Sequence, residues 1–129
     1  MLFYCKSFGV NSMVNIAING FGRIGRLVFR MGFKEKGFNI VAINDLTDAK
    51  TLANLLKRDS VHGTFDAEIE YGSDYLKVDG KKIIVLAEKD LAKLPWKQLN
   101  IDLVVESTGK FTKKEELEQH IKCGAKKVL

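Results

Sequence analysis

The chain has 129 residues, 46% of them apolar and 29% charged, enough for one domain with a real core. No apolar run approaches the ~20 residues that cross a bilayer, so no membrane role is expected. The formal charge of +5 lies in the first half: residues 1–64 carry 9 basic and 4 acidic side chains, residues 65–129 carry 12 of each.

A nucleic-acid surface would call for interleaved aromatics or a zinc or RNA-binding signature, and the sequence has neither. A solvated helix face and a site for phosphorylated small molecules are the favoured readings of the excess, and nucleic acid is not an expected partner. Two cysteines, Cys5 and Cys123, make no disulfide framework, so the cytoplasm is the expected compartment.

Residues 1–13, opening MLFYCKSFGVNS, lack the basic start and cleavage site of a secretory signal. They read as a leader of doubtful origin before a folded domain over 14–129. VNIAI (14–18) is short, β-branched and apolar, as a buried parallel strand is. Beyond the glycines that follow, Ile24, Leu27, Val28 and Met31 recur at helical spacing and predict a helix with that stripe inward, ended by Gly37. Arg23, Arg26, Arg30 and Lys34 fall away from the stripe. FNIVAIN (38–44) predicts a second buried strand. TDAKTLANLLKRD predicts a short capped helix that groups Leu52, Leu55 and Leu56.

The period then changes. AEIEYGSDYLKVDGKKIIVLAE alternates apolar and polar residues around Asp79–Gly80, a strong hairpin signal. IDLVVEST (101–108) predicts another strand. Thr112 caps a helix through KKEELEQHIKC, with Leu117 and Ile121 at helical spacing and Gly124 at its end. KKVL opens a further strand. Strands alternating with helices predict an α/β fold, a Rossmann-type doubly wound and mainly parallel sheet with a small antiparallel hairpin insertion.

Gly20-Phe21-Gly22-Arg23-Ile24-Gly25 matches G-x-G-x-x-G. With 11 glycines in the chain, composition alone yields such a match in ~8% of sequences, so the pattern is weak by itself. Its context is stronger: a buried strand precedes it, an amphipathic helix follows, and Asp45 ends the next strand twenty residues beyond Gly25. On the dinucleotide reading Gly20 makes the tight turn, Gly22 lets the backbone approach a pyrophosphate, and Gly25 lets the helix press on the sheet. The Arg23 and Ile24 amides then face phosphate oxygens. Asp45 accepts from the adenosine ribose and repels a 2′-phosphate, favouring NAD over NADP. The competing reading is a glycine turn in a nucleotide-free domain with Asp45 as a solubilising strand end. Ser107, Thr108 and Gly109 fall where a later strand's loop reaches the same crevice, or else form a polar strand end. His120 and Cys123, three apart on a helix, read as an incidental pair, since no third group orients them.

The segments INGFGRIGRLVFR, VAINDLTDAKTLANLLKRDSVHG and LPWKQLNIDLVVESTGKFTKKEELEQHIKCGAKKV resemble the amino-terminal cofactor-binding part of phosphorylating glyceraldehyde-3-phosphate dehydrogenase. The resemblance runs from about Val14 to Leu129. It implies NAD as cofactor, held by the Gly20–Phe21–Gly22 turn with Arg23 and Ile24, by Asn44, Asp45 and Leu46 around the adenosine, and by Ser107, Thr108 and Gly109 lining the crevice. Lys89, in AEKD, stands where the family usually has an arginine at the adenine end, and supplies a charge without the planar fork. His62 matches a family pattern and reads as structural.

The family's Ser-Cys-Thr-Thr-Asn nucleophile segment and its later histidine base are absent, so no catalytic residue is expected here, and the fold is expected to be truncated before the catalytic domain. By resemblance, glyceraldehyde 3-phosphate, inorganic phosphate and a homotetramer belong to the complete glycolytic enzyme. A stand-alone NAD-binding module and erythrose-4-phosphate dehydrogenase are the alternatives. The isolated chain is expected to be inactive, marginally stable or self-associating, and a weak binder of NAD.

Overall fold

In the computed structural model, which describes residues 13–59, 63–64, 67–109 and 114–129, the apolar runs become the inner strands of one sheet. β1 (Val14–Asn19) lies between β2 (Phe38–Asn44) and β8 (Leu103–Glu106), parallel to both. Between β1 and β2 the chain forms α1 (Arg23–Gly32), and after β2 it forms α2 (Ala49–Lys57). A two-residue pair follows, β3 (Arg58–Asp59) with β4 (Gly63–Thr64). Then come β5 (Ile69–Tyr71), β6 (Tyr75–Val78) and β7 (Lys81–Leu86), antiparallel in succession. A 3₁₀ turn at Leu91–Lys93 leads toward β8, and α3 (Lys114–Lys122) precedes β9 (Lys127–Val128).

The order across the main sheet is β5-β6-β7-β2-β1-β8-β9. The hairpin insertion is thus continuous with the sheet: β7 turns back from β6 and pairs parallel with β2. The expected Asp79–Gly80 turn makes that reversal with φ of 49° and 85°, the left-handed pair that a tight hairpin needs. From β1 the sheet grows through β2 on one side and β8 on the other, and the carboxyl ends of β1 and β8 part at this switch in direction, where doubly wound sheets open a crevice.

Both faces are covered. Ile16, Ile18, Ile40 and Ile43 pack on one side with Phe29, Leu52 and Leu56 from the helices. Ala17, Ala42 and Val104 pack on the other with Leu91, Leu94 and Trp96. Ile40 and Ile43 share a face although three apart, because the register slips between Ile16 and Ala17, which places an extra residue in β2.

Three helix readings are corrected. α1 buries Gly25 and Phe29, whereas Ile24 and Met31 are 60% and 67% exposed. It also ends at Gly32, and Gly37 instead turns the chain into β2 at φ 92°. In α2, Leu52 and Leu56 are buried and Leu55 is exposed, and the cap is Asp48, whose Oδ1 accepts from the Thr51 amide at 2.7 Å. Among the described side chains of α3 the buried one is His120, and Ile121 is exposed. The expected Thr112 cap, His62 and residues 1–12 of the leader lie outside the described residues.

Candidate functional site

The strands end in polar residues, Asn19 on β1, Asn44 on β2 and Glu106 on β8, and both asparagines are buried. They stand in register, Asn19 opposite both Asn44 and Glu106. Residues paired across a parallel sheet share a face, so the three side chains meet. Asn44 Nδ2 donates to Asn19 Oδ1 at 2.7 Å, and Asn19 Nδ2 donates to Glu106 Oε1 at 2.8 Å. Asn44 also clamps the main chain beyond β7, accepting from the Glu88 amide at 2.8 Å and donating to the Glu88 carbonyl at 2.9 Å.

Above this row lies a crevice of about 570 Å³, lined by Asn19, Gly20, Gly22, Asn44, Asp45 and Leu46, with Glu88, Lys89, Leu91, Ser107 and Thr108 closing it. Gly20 adopts φ 94°, and a Cβ there would stand 2.7 Å from Thr108. At Gly25 a Cβ would meet the Gly20 carbonyl at 2.3 Å, so the start of α1 is pressed against the turn. Gly22 is different: a Cβ there would have nothing within 4 Å. The protein itself gives no steric reason for glycine at Gly22, which lines the crevice. No side chain caps α1 and its first turn has no acid, which leaves the first amides of a ten-residue helix open to an anion.

Asp45 is fixed by two main-chain donors. Oδ2 accepts from the Phe21 amide at 2.7 Å and Oδ1 from the Thr47 amide at 2.9 Å. The carboxylate thereby joins the end of β2 to the glycine turn and remains in the crevice lining. Ser107 Oγ donates to the Gly20 carbonyl at 2.6 Å, tying the β8 loop to the same turn. Burial pushes the Glu106 carboxyl up, but hydrogen bonds from His120, Thr108 and Asn19 together outweigh it and hold it below the ordinary glutamate range.

Of the residues expected from sequence, Gly20, Gly22, Asn44, Asp45, Leu46, Lys89, Ser107 and Thr108 come together in the lining. Phe21, Arg23, Ile24 and Gly109 do not line it. The Phe21 ring is buried edge-on to Phe29, with centroids 5.7 Å apart, so only its amide takes part, through Asp45. Arg23 and Ile24 are exposed on the first turn of α1, and Gly109 is exposed beyond Thr108. Sequence reasoning missed Asn19, Glu88 and Leu91. Asn19 had a signal, a polar residue closing an apolar strand just as Asn44 does; Glu88 and Leu91 had none. The His120–Cys123 pair makes no nucleophile and base. Both ring nitrogens of His120 are engaged elsewhere, and the Cys123 thiol donates to the Leu91 carbonyl at 3.0 Å.

A glycine turn from a central parallel strand into an uncapped helix, faced by an acid at the end of the neighbouring strand, defines a dinucleotide-binding domain of the doubly wound class. Residues 14–114 match the family described as glyceraldehyde 3-phosphate dehydrogenase, NAD binding domain. The chain belongs to that family, and NAD is its cofactor. It is 57% identical over 119 residues to a glyceraldehyde-3-phosphate dehydrogenase of Thermotoga maritima, covering 91% of this chain and 36% of the relative. Against that of Geobacillus stearothermophilus it is 56% identical over 116 residues, 90% of this chain and 35% of the relative. Against glyceraldehyde-3-phosphate dehydrogenase 2 of Bacillus subtilis it is 50% identical over 116 residues, 90% of this chain and 34% of the relative. The chain thus spans about a third of the length of these relatives.

Proposed function

We propose that this chain is the part of a glyceraldehyde-3-phosphate dehydrogenase that binds and orients NAD. When bound, NAD supplies the hydride acceptor for oxidation of an aldehyde. The residues here bind and align. The Arg23 and Ile24 amides at the head of α1 face the diphosphate, Asp45 accepts from the adenosine ribose, Asn44, Leu46 and Lys89 flank the adenosine, and Ser107, Thr108 and Gly109 support the far side. Glyceraldehyde 3-phosphate, inorganic phosphate, a homotetrameric assembly and a cytoplasmic setting belong to this proposal for the complete enzyme. The observation that carries it is Asp45, held by the Phe21 amide in the same crevice as Gly22.

The test is the ratio of NAD to NADP affinity by calorimetry. A charged acceptor contributes about 1.5–3 kcal/mol to a hydrogen bond, and the same charge opposes a 2′-phosphate. Asp45→Ala is expected to lower the preference for NAD at least tenfold, and an unchanged ratio would remove Asp45 from the ribose site. Because the two cysteines lie outside any Ser-Cys-Thr-Thr-Asn segment, the isolated chain should bind without catalysing. NADH absorbance appearing with glyceraldehyde 3-phosphate and inorganic phosphate would contradict that.

A further inference from the structure

Beneath the crevice lies a polar connection that cofactor binding does not by itself require. Resting on the reading of the crevice as an NAD site, we propose that Glu106 is a positioning residue that holds both walls of the crevice and transmits its occupancy to Trp96. All four groups on its carboxylate are donors. Oε1 receives Asn19 Nδ2–H at 2.8 Å and contacts His120 Nε2 at 2.7 Å, while Oε2 receives the Thr108 hydroxyl at 2.7 Å and the Thr108 amide at 3.2 Å.

The tautomer of His120 follows from its other neighbour. Trp96 Nε1–H can only donate, and it reaches His120 Nδ1 at 2.9 Å. Nδ1 therefore accepts, and Nε2 carries the hydrogen toward Glu106. Three donor lines end on one charge: Trp96 through His120, Asn44 through Asn19, and Thr108 directly. The second line holds the Glu88 main chain on one wall, and the third holds Thr108 on the other. Trp96 and His120 are fully buried, so no water competes for these bonds.

A ligand group that draws the Thr108 hydroxyl away leaves the carboxylate with fewer donors. The bond from His120 then shortens, the ring accepts more strongly at Nδ1, and the indole N–H is further polarised. Adjacent hydrogen bonds polarise one another in this way in a low-dielectric interior. Glutamine does not replace this carboxylate in full, because its amide hydrogens would meet Asn19 Nδ2–H and His120 Nε2–H on one side, or the Thr108 amide on the other, where only the Thr108 hydroxyl can turn to accept.

Trp96 is the only tryptophan of the 129 residues, so its indole N–H gives one resolvable resonance in this chain labelled with ¹⁵N. On titration with NAD that proton should move downfield and saturate at the calorimetric affinity. Glu106→Gln should weaken NAD at least tenfold and leave the indole proton unresponsive at saturation. Thr108→Val should abolish the response, and Thr108→Ser should keep it. The Thr108 pair decides the matter if Glu106→Gln does not fold. An indole that stays still while wild-type chain binds NAD overturns this proposal alone, as does a Thr108→Val response equal to wild type. Failure of the wild-type chain to bind NAD overturns the cofactor reading as well.

Discussion

The three glycines of the motif do different physical work. Gly25 is required by the protein, since a Cβ there would penetrate the Gly20 carbonyl at 2.3 Å. Gly22 is free of such contacts at φ −79°, an extended conformation open to any residue. Gly25→Ala should therefore destabilise the fold by about 1–3 kcal/mol, the usual range for overpacking. Gly22→Ala should leave stability within about 0.5 kcal/mol while weakening NAD at least tenfold. Urea denaturation and calorimetry on both variants check this, and a Gly22→Ala chain that binds as wild type would mean that nothing approaches the turn there. The place of Asp45 in the crevice was legible for the same local reason as the glycines, as it follows from a fixed distance along one strand–helix–strand unit. Glu106 was not, because its donors come from residues 2, 14 and 87 positions away.

Among the elements, α1 shows what periodicity reads well and what it misses. Ile24, Leu27, Val28 and Met31 satisfy the helical template, and Val28 does pack against the core. The buried face is nevertheless centred on Gly25 and Phe29. Glycine carries no hydropathy signal, so a face that approaches the sheet through a glycine is invisible to a search for apolar side chains. Phe29 is fully buried, edge-on to Phe21 and stacked on Phe33 at 5.2 Å. Phe29→Ala should cost about 3–5 kcal/mol, whereas Met31→Lys on the exposed face should change stability by less than about 0.5 kcal/mol. Urea midpoints separate the two, and a large loss for Met31→Lys would restore the sequence-derived stripe. The same blindness hid the inner face of α3, where the buried residue among those described is polar: His120 is accommodated because both ring nitrogens find partners, which no hydropathy pattern encodes.

At the scale of the whole molecule, the central parallel strands were legible because short β-branched runs such as VNIAI and FNIVAIN suit burial on both faces of a sheet. What was illegible is how the sheet is joined across its carboxyl edge, where Asn19, Asn44 and Glu106 close in register. That row ties β1, β2, β8, α3 and the segment beyond β7 to a single negative charge, so the fold's stability should follow its titration. The Glu106 carboxyl is held below its ordinary value by donors present only in the folded state. Its contribution is complete above the unfolded glutamate value of about 4.3. It is lost as pH falls through the lower folded value, because the unfolded chain takes up the proton first. Protonation there is costly for a structural reason: the carboxyl would have to donate, and of its four neighbours only the Thr108 hydroxyl could turn to accept. Glu106→Gln removes this charge at every pH. Urea midpoints of wild type and Glu106→Gln should differ by a constant amount from pH 7 down to about pH 5, and the gap should narrow progressively at lower pH. A gap that stays the same between pH 7 and pH 3 would show that the charge of Glu106 contributes nothing to holding the sheet edge together.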